Sequence, residues 1–194
     1  MRLTPVLAAA GLAVLTAGPA VADPATFNLD TSHTHILFKV NHLGLSNTYG
    51  QFDDFSGQVM LDQDNPENSR VTVTIQSASI DTNHGERDTH LRSADFFNAE
   101  EYPEITFEST KVETTGDKSA KIYGELTMLG ETRDVVLDAD LNFLGQHPLP
   151  QVDATVAGFT ASTTINRTDF GMDAYAPAVS DAVEITINSE ALKQ

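Results

Sequence analysis

Val135-Val-Leu-Asp-Ala-Asp-Leu-Asn-Phe143 and, after thirteen intervening residues, Ala157-Gly-Phe-Thr-Ala-Ser-Thr-Thr-Ile165 decide the fold. In the first, Val135, Leu137, Ala139, Leu141 and Phe143 alternate with mostly polar neighbours. In the second, Ala157, Phe159, Ala161, Thr163 and Ile165 do the same. A period of two is that of a strand with one buried and one wet face, as antiparallel sheets have and parallel ones mostly lack. The same period recurs outward in both directions. It is found in Ile36/Phe38/Val40/His42, Phe55/Gly57/Val59/Leu61, Val71/Val73/Ile75, Ile105/Phe107, Ile122/Gly124/Leu126 and Val183/Ile185/Ile187. Turn signals at Asn65-Pro66, Gly116-Asp117, Leu129-Gly130 and Pro148-Leu149-Pro150 separate the runs. Some eight strands with little helix between them predict an all-β domain, a sandwich or a closed barrel. Asp81–Pro103 breaks the pattern. Its Leu91, Ala94 and Phe97 fall at helical spacing, and an irregular stretch of that length with its own aromatics packs against or gates something.

The chain of 194 residues has 11 Lys+Arg against 28 Asp+Glu, a net charge of −17, and no Cys. One domain of ordinary size fits this length. The negative charge argues against nucleic acid or an anionic membrane surface as the main partner. Without Cys there is no disulfide, thiolate metal site, Cys nucleophile or Cys-linked lipid. Met1–Ala22 reads as a cleaved secretory signal: Arg2, an apolar run from Val6 to Ala17, then Gly18-Pro19 and the small-x-small Ala20-Val21-Ala22. The expected mature domain is then 23–194, and export without Cys suggests a Gram-negative periplasm. The leader's run is too short to span a bilayer, and nothing later is apolar enough to insert stably.

Signals for chemistry are weak. His33-Thr-His35 puts two imidazoles on one side of a strand, but a further ligand such as Asp30 or His42 would be needed, and strand-edge histidines are the better reading. H-E-x-x-H, G-x-S-x-G, G-x-G-x-x-G and Walker patterns are all absent. A calcium loop from Asp62 fails because its sixth position is Glu67 and its twelfth Val73. For catalysis inside a barrel only His42, in phase with Val40, is a candidate. No catalytic or metal residue is assigned. Ten Phe lie beyond the leader, and Phe38, Phe55, Phe107, Phe143 and Phe159 belong to the apolar faces of separate runs. Eight strands enclose about enough room for one slender ligand, so these faces line either a filled core or a hollow tube.

A series of short stretches, in order, carries a family resemblance. They are Leu29-Asp-Thr-Ser-His-Thr-His-Ile-Leu-Phe38, His42-Leu-Gly44, Tyr49-Gly-Gln-Phe52, Ser79-Ile-Asp-Thr-Asn-His84, Arg87-Asp-Thr-His-Leu-Arg-Ser-Ala-Asp-Phe-Phe97, Tyr102-Pro103, Phe107-Glu-Ser109, Gly124-Glu-Leu-Thr-Met-Leu-Gly130 and Arg167-Thr-Asp-Phe-Gly-Met172. Over about Phe27 to Leu192 the sequence resembles the YceI-like family of periplasmic polyisoprenoid-binding proteins. The resemblance implies a lipocalin-like eight-stranded antiparallel barrel, with short helical segments near one end and a long apolar tunnel. It also implies a polyisoprenoid lipid or isoprenoid quinone as cargo, no cofactor, no enzymatic activity, and dimers among relatives. On that basis the expected tunnel lining is Ile36, Phe38, Val40, Phe55, Val59, Ile75, Phe107, Leu126, Leu137, Phe159, Ile165 and Ile185. The expected mouth and head-group residues are His84, Arg87, His90, Arg92, Phe170 and Met172. The role expected is a carrier in the periplasm, with stress response or quinone handling as its setting. The alternatives are a binder of another long-chain lipid and a filled barrel that works through its surface.

Overall fold

The computed structural model describes residues 24–194; the expected leader Met1–Ala22 and its cleavage point lie outside the described residues. The chain folds into eleven strands: β1 Ala25–Leu29, β2 His35–His42, β3 Ser46–Phe52, β4 Phe55–Leu61, β5 Arg70–Gln76, β6 Ile80–Asp81, β7 Glu104–Thr114, β8 Ser119–Met128, β9 Glu131–Gln146, β10 Thr155–Asn166 and β11 Val179–Lys193. One α-helix, α1 Gly85–Leu91, lies between β6 and β7.

Eleven strands make eight staves, because the first three staves are each broken once. β1 and β2 lie end to end along β11, which pairs Ala191–Lys193 with β1 and Val179–Asn188 with β2. β3 and β4 are interrupted at Asp53-Asp54, and β5 and β6 by a single helical turn at Ser77–Ser79. From there β7 to β11 run as unbroken antiparallel neighbours, and β1–β11 pairing closes the ring. The result is a closed eight-stranded antiparallel barrel in up-and-down order, as the alternation and the resemblance predict.

The inward faces form three apolar clusters. One, around Ile36, Phe52, Phe55, Ile80, Phe96, Met128, Phe170 and Met172, fills one end. At the opposite end Phe27 and Ala191, both 0% exposed, pack with Val59 and Ala157 where the ring closes. Phe107, Val135, Leu137 and Ala161 lie between. Alternation misplaces one residue. A register shift opposite Gly158/Phe159 turns Phe143 outward, 40% exposed over Gly145, and brings Leu144 in beside Ala157. A bulge adds one residue to a strand, and everything beyond it changes face.

Two glycines make room for inward phenylalanines. Phe107 stands opposite Leu126 with its ring across Gly124, and Phe38 stands opposite Gly50 with its ring against that residue. A Cβ at position 124 would sit 2.5 Å from the Phe107 ring and 2.6 Å from the carbonyl oxygen of Glu108. Because the second neighbour is backbone, the strand itself must shift. Gly124→Ala is therefore expected to cost about 2 kcal/mol and lower Tm by about 5 °C. Pairing it with Phe107→Leu should recover part of the loss, read as a coupling term in thermal melts; an unchanged melt of Gly124→Ala refutes the contact.

Candidate functional site: an apolar lumen

The barrel's own side chains do not fill it. They leave a cavity of about 530 Å³ running along the axis. It is lined along β11 from Val179 to Ser189, about 25 Å of axial length for strands tilted near 40°. Of the twelve expected lining residues, eleven face this space: Ile36, Phe38, Val40, Val59, Ile75, Phe107, Leu126, Leu137, Phe159, Ile165 and Ile185. Phe55 does not. It points inward opposite Ile75 but is packed with Phe52 and Phe96 in the end cluster, out of reach of the lumen. The alternation places a residue on the inner face without saying how far along the axis the packing is solid.

Three alanines sit at one level of the lining. Ala120 on β8 pairs with Ala139 on β9, and Ala139 pairs with Ala161 on β10. Small residues on three adjoining staves keep the lumen wide at that height. Sequence reasoning passed over them because alanine carries no chemical signal of its own.

The two ends differ. At one end, Leu91, Phe96, Phe97, Met128 and Met172 reach the lumen from the irregular segment and the β8 and β10 ends, with Phe97 edge-on to Phe52 at 5.6 Å. At the other, the lining becomes polar: Asp62, Gln63 and Ser69 from the β4–β5 loop, Thr114, Asp117, Lys118 and Ser119 around the β7–β8 turn, and Asp140.

The residues expected at a mouth have the following partners. His84 is the N-cap of α1, its ring accepting from the Arg87 backbone N–H at 3.3 Å. The Arg87 guanidinium donates to Thr82 Oγ1 at 2.7 Å and to the Thr82 carbonyl at 2.6 Å. Arg92 donates to the carbonyls of Ala78 and Ile80 at 2.6 and 2.8 Å. His90 pairs with Asp95 at 2.9 Å and lies edge-on to Phe96 and Tyr175. Burial opposes ionisation of Asp88, yet the bonds it accepts from the Thr82 hydroxyl and amide outweigh that and hold its carboxyl below the usual range. Phe170, 2% exposed, belongs to the end cluster and not to the lining; Met172 alone of the six reaches the lumen. The polar groups expected at a mouth are engaged in the caps and carbonyl ties of the irregular segment. A helical turn with its caps and a binding loop use the same residue types, so composition could not separate them.

A further polar residue, within the stretch Arg167–Met172 quoted above, carries structure. Arg167, 3% exposed, donates from Nε to the Ser180 carbonyl at 3.0 Å, from Nη2 to Val179 at 2.9 Å, and from Nη1 to Met172. Burial works against its charge, with Asp181 and Asp173 opposing from further off. One fork thus ties down the whole β10–β11 connection.

Other candidates fall outside the lumen. His42 is exposed at the end of β2, opposite Val179, and is not among the lining residues. His33 does not join His35. Instead its Nδ1 meets Asp30 at 2.8 Å on the outer surface, with Glu190 near by, and that bond holds the Asp30 carboxyl down to about 2. Asp62 closes the β4–β5 loop, accepting from the amides of Asp64 and Asn65 and from Asn68. No helix among the described residues is long and apolar enough to cross a membrane.

A closed antiparallel barrel around an unfilled apolar lumen defines the class: a hollow β-barrel of the lipid-binding kind. The family follows from comparison. A model of the YceI-like domain matches residues 27–191, so the chain belongs to that family. A UPF0312 protein of Pseudomonas aeruginosa is 42% identical over 186 residues, covering 96% of this chain and 95% of that one. Among solved structures, a YCEI protein of Campylobacter jejuni is 33% identical with a TM-score of 0.72, covering 80% of this chain and 91% of that one. A polyisoprenoid binding domain from Saccharophagus degradans, 14% identical, shares the fold with a TM-score of 0.64 over 89% of this chain and all of that one.

Proposed function

We propose that this protein is an exported carrier that holds one long-chain isoprenoid lipid, an isoprenoid quinone or a polyprenyl chain, with its tail in the barrel. The observation that carries this reading is the unfilled apolar lumen of about 530 Å³. In a packed core an unoccupied space of that size would forfeit about 13 kcal/mol at ~24 cal/mol per Å³, as much as the whole stability of an ordinary domain. A sequence that keeps alanines at Ala120, Ala139 and Ala161 maintains the space rather than closing it.

The lining suits the cargo. Each methylene moved from water into this wall gains about 0.8 kcal/mol, so a branched hydrocarbon tail is held without a charged contact. Residues such as Ile36, Val73 and Ile185 offer a ridged surface against which side methyls pack. The family, and a structural neighbour described as a polyisoprenoid binding domain, support this cargo over a straight acyl chain. Among the described residues no titratable cluster inside the lumen points to chemistry on it. The leader read in Met1–Ala22 supports export to the periplasm, where an acidic exterior would keep the carrier away from anionic bilayers.

Native mass spectrometry of protein taken from the periplasm of its own host tests the reading. The expected result is a discrete added mass at one per chain that extracts into organic solvent as a polyprenyl species. A stoichiometric fatty-acid derivative would reassign the cargo, and a bare chain after gentle purification would overturn the container reading.

A further inference from the structure

We propose that the protein docks on a zwitterionic bilayer surface through an apolar lip formed by the β2–β3 turn, Leu43-Gly-Leu45, and the segment Tyr175–Ala178. The two parts make one surface. The Leu43 amide donates to the Ala178 carbonyl at 2.7 Å, and the Asn41 amide to Ser180 Oγ at 3.0 Å. Leu45 is 81% exposed, Leu43 55% and Tyr175 53%, with Ala176, Pro177 and Ala178 exposed beside them. Leu43 and Tyr175 both lie in the left-handed region, at φ 57° and 61°, where Gly or Asn fits with less strain. Bulky apolar side chains are thus held in water at two adjoining positions that favour other residues.

Charge selects the occupant. No Asp or Glu occurs from 31 to 52 or from 174 to 180, in a chain that has 28 of them. No other stretch of the described residues is free of carboxylates for as long as the first. The turn itself carries no acidic or basic group beyond His42. Of the carboxylates beside the second segment, Asp95 is paired with His90 at 2.9 Å and Asp181 accepts from the Thr168 amide; Asp173 precedes Tyr175 by two residues. With a net charge of −17, an anionic surface repels the rest of the molecule, whereas a zwitterionic one admits a neutral lip. The six apolar residues of the lip are few beside the roughly 20–30 a side of a stable protein interface. They suit reversible membrane binding, and tyrosine suits the membrane–water boundary. Tyr175 stacks on Phe96 at 5.7 Å, and Phe96, Val40 and Val179 line the lumen. Docking here brings the lumen wall up to the lipid. The opposite end, where β11 finishes, also exposes a leucine, Leu149, but on a loop that carries Asp153. The proposal goes beyond the carrier reading and stands whatever the cargo is.

Flotation of the protein with phosphatidylcholine vesicles tests it. Binding is expected, weakening at low salt when phosphatidylglycerol is added and recovering at high salt, where the Debye length shortens. Leu43→Asn with Leu45→Ser should lower the bound fraction's partition coefficient about tenfold or more. Tm should not move, because both side chains stand largely in water and Asn keeps the left-handed backbone. Leu45→Ser alone, at the most exposed position, should give about a threefold loss. Leu149→Ser should change nothing. Absence of vesicle binding overturns the proposal and leaves the carrier reading intact. So does an equal loss from Leu149→Ser, and so does a dimer that the double substitution dissociates, which would give the lip to a second copy.

Discussion

Ala139→Trp is expected to empty the carrier without unfolding it. Ala139 faces the lumen between Ala120 and Ala161 at the height where three staves are lined by alanine. An indole there projects into space that the protein leaves unfilled, so the overpacking cost of a dense core does not arise. Burying the added ring should instead stabilise by about 2 kcal/mol, leaving Tm unchanged or a few degrees higher. The same ring occupies the path of the tail. Lipid recovered per chain should fall by roughly tenfold or more, since blocking even two methylenes costs about 1.6 kcal/mol. The measurement is organic extraction and native mass of the variant beside its melt. Ala139→Ser, which adds one atom, should retain lipid at the level of the parent chain. Stoichiometric lipid in a folded Ala139→Trp variant would mean that the cargo does not use this lumen. Should tryptophan fail to fold, Ala161→Leu makes the same test more gently.

The largest stability effect should come from Arg167→Ala. The side chain is 3% exposed and its bonds satisfy the carbonyls of Met172, Val179 and Ser180. Removing it leaves those acceptors in a site built against Phe170 and Met172, at about 1–2 kcal/mol each, or roughly 3–5 kcal/mol in all. For a domain of this size Tm should fall by about 10 °C or more. Arg167→Lys should restore little, because one ammonium cannot span three carbonyls that a planar fork reaches at once. A melt within about 2 °C of the parent would refute the clamp.

Much of the barrel was legible because alternation is a direct image of one-sided burial. The eight alternating runs correspond one to one with the eight staves. The misses have physical causes. β1, β3 and β6 are the other halves of the three broken staves, and β3, Ser46-Asn-Thr-Tyr-Gly-Gln-Phe52, is too polar to show a pattern. Its place is dictated by pairing with β2 along its whole length. Phe143 was read as inward because a register shift leaves no trace in composition. The lining was legible as a face, and Phe55 shows the limit: facing inward and reaching the lumen are different properties. His84, Arg87, His90 and Arg92 are as suited to caps and carbonyl ties as to a head group, so residue type alone does not announce their partners. Only three-dimensional placement shows which partners they have.

The way the ring closes governs when the protein can become a container. Every stave from the second to the eighth pairs with the one before it in sequence, so those contacts form between neighbours as the chain grows. The seam is the exception. Phe27 must meet Lys193, and Ile36 must meet Ile187, across more than 150 residues. Closing so long a loop carries the largest entropic cost of any pairing in the fold. The last stave, Val179–Lys193, is therefore a latch: until it arrives the sheet is an open trough whose whole inner face is accessible to a lipid from the side. Once it docks, the lumen is reached only through the ends of the barrel.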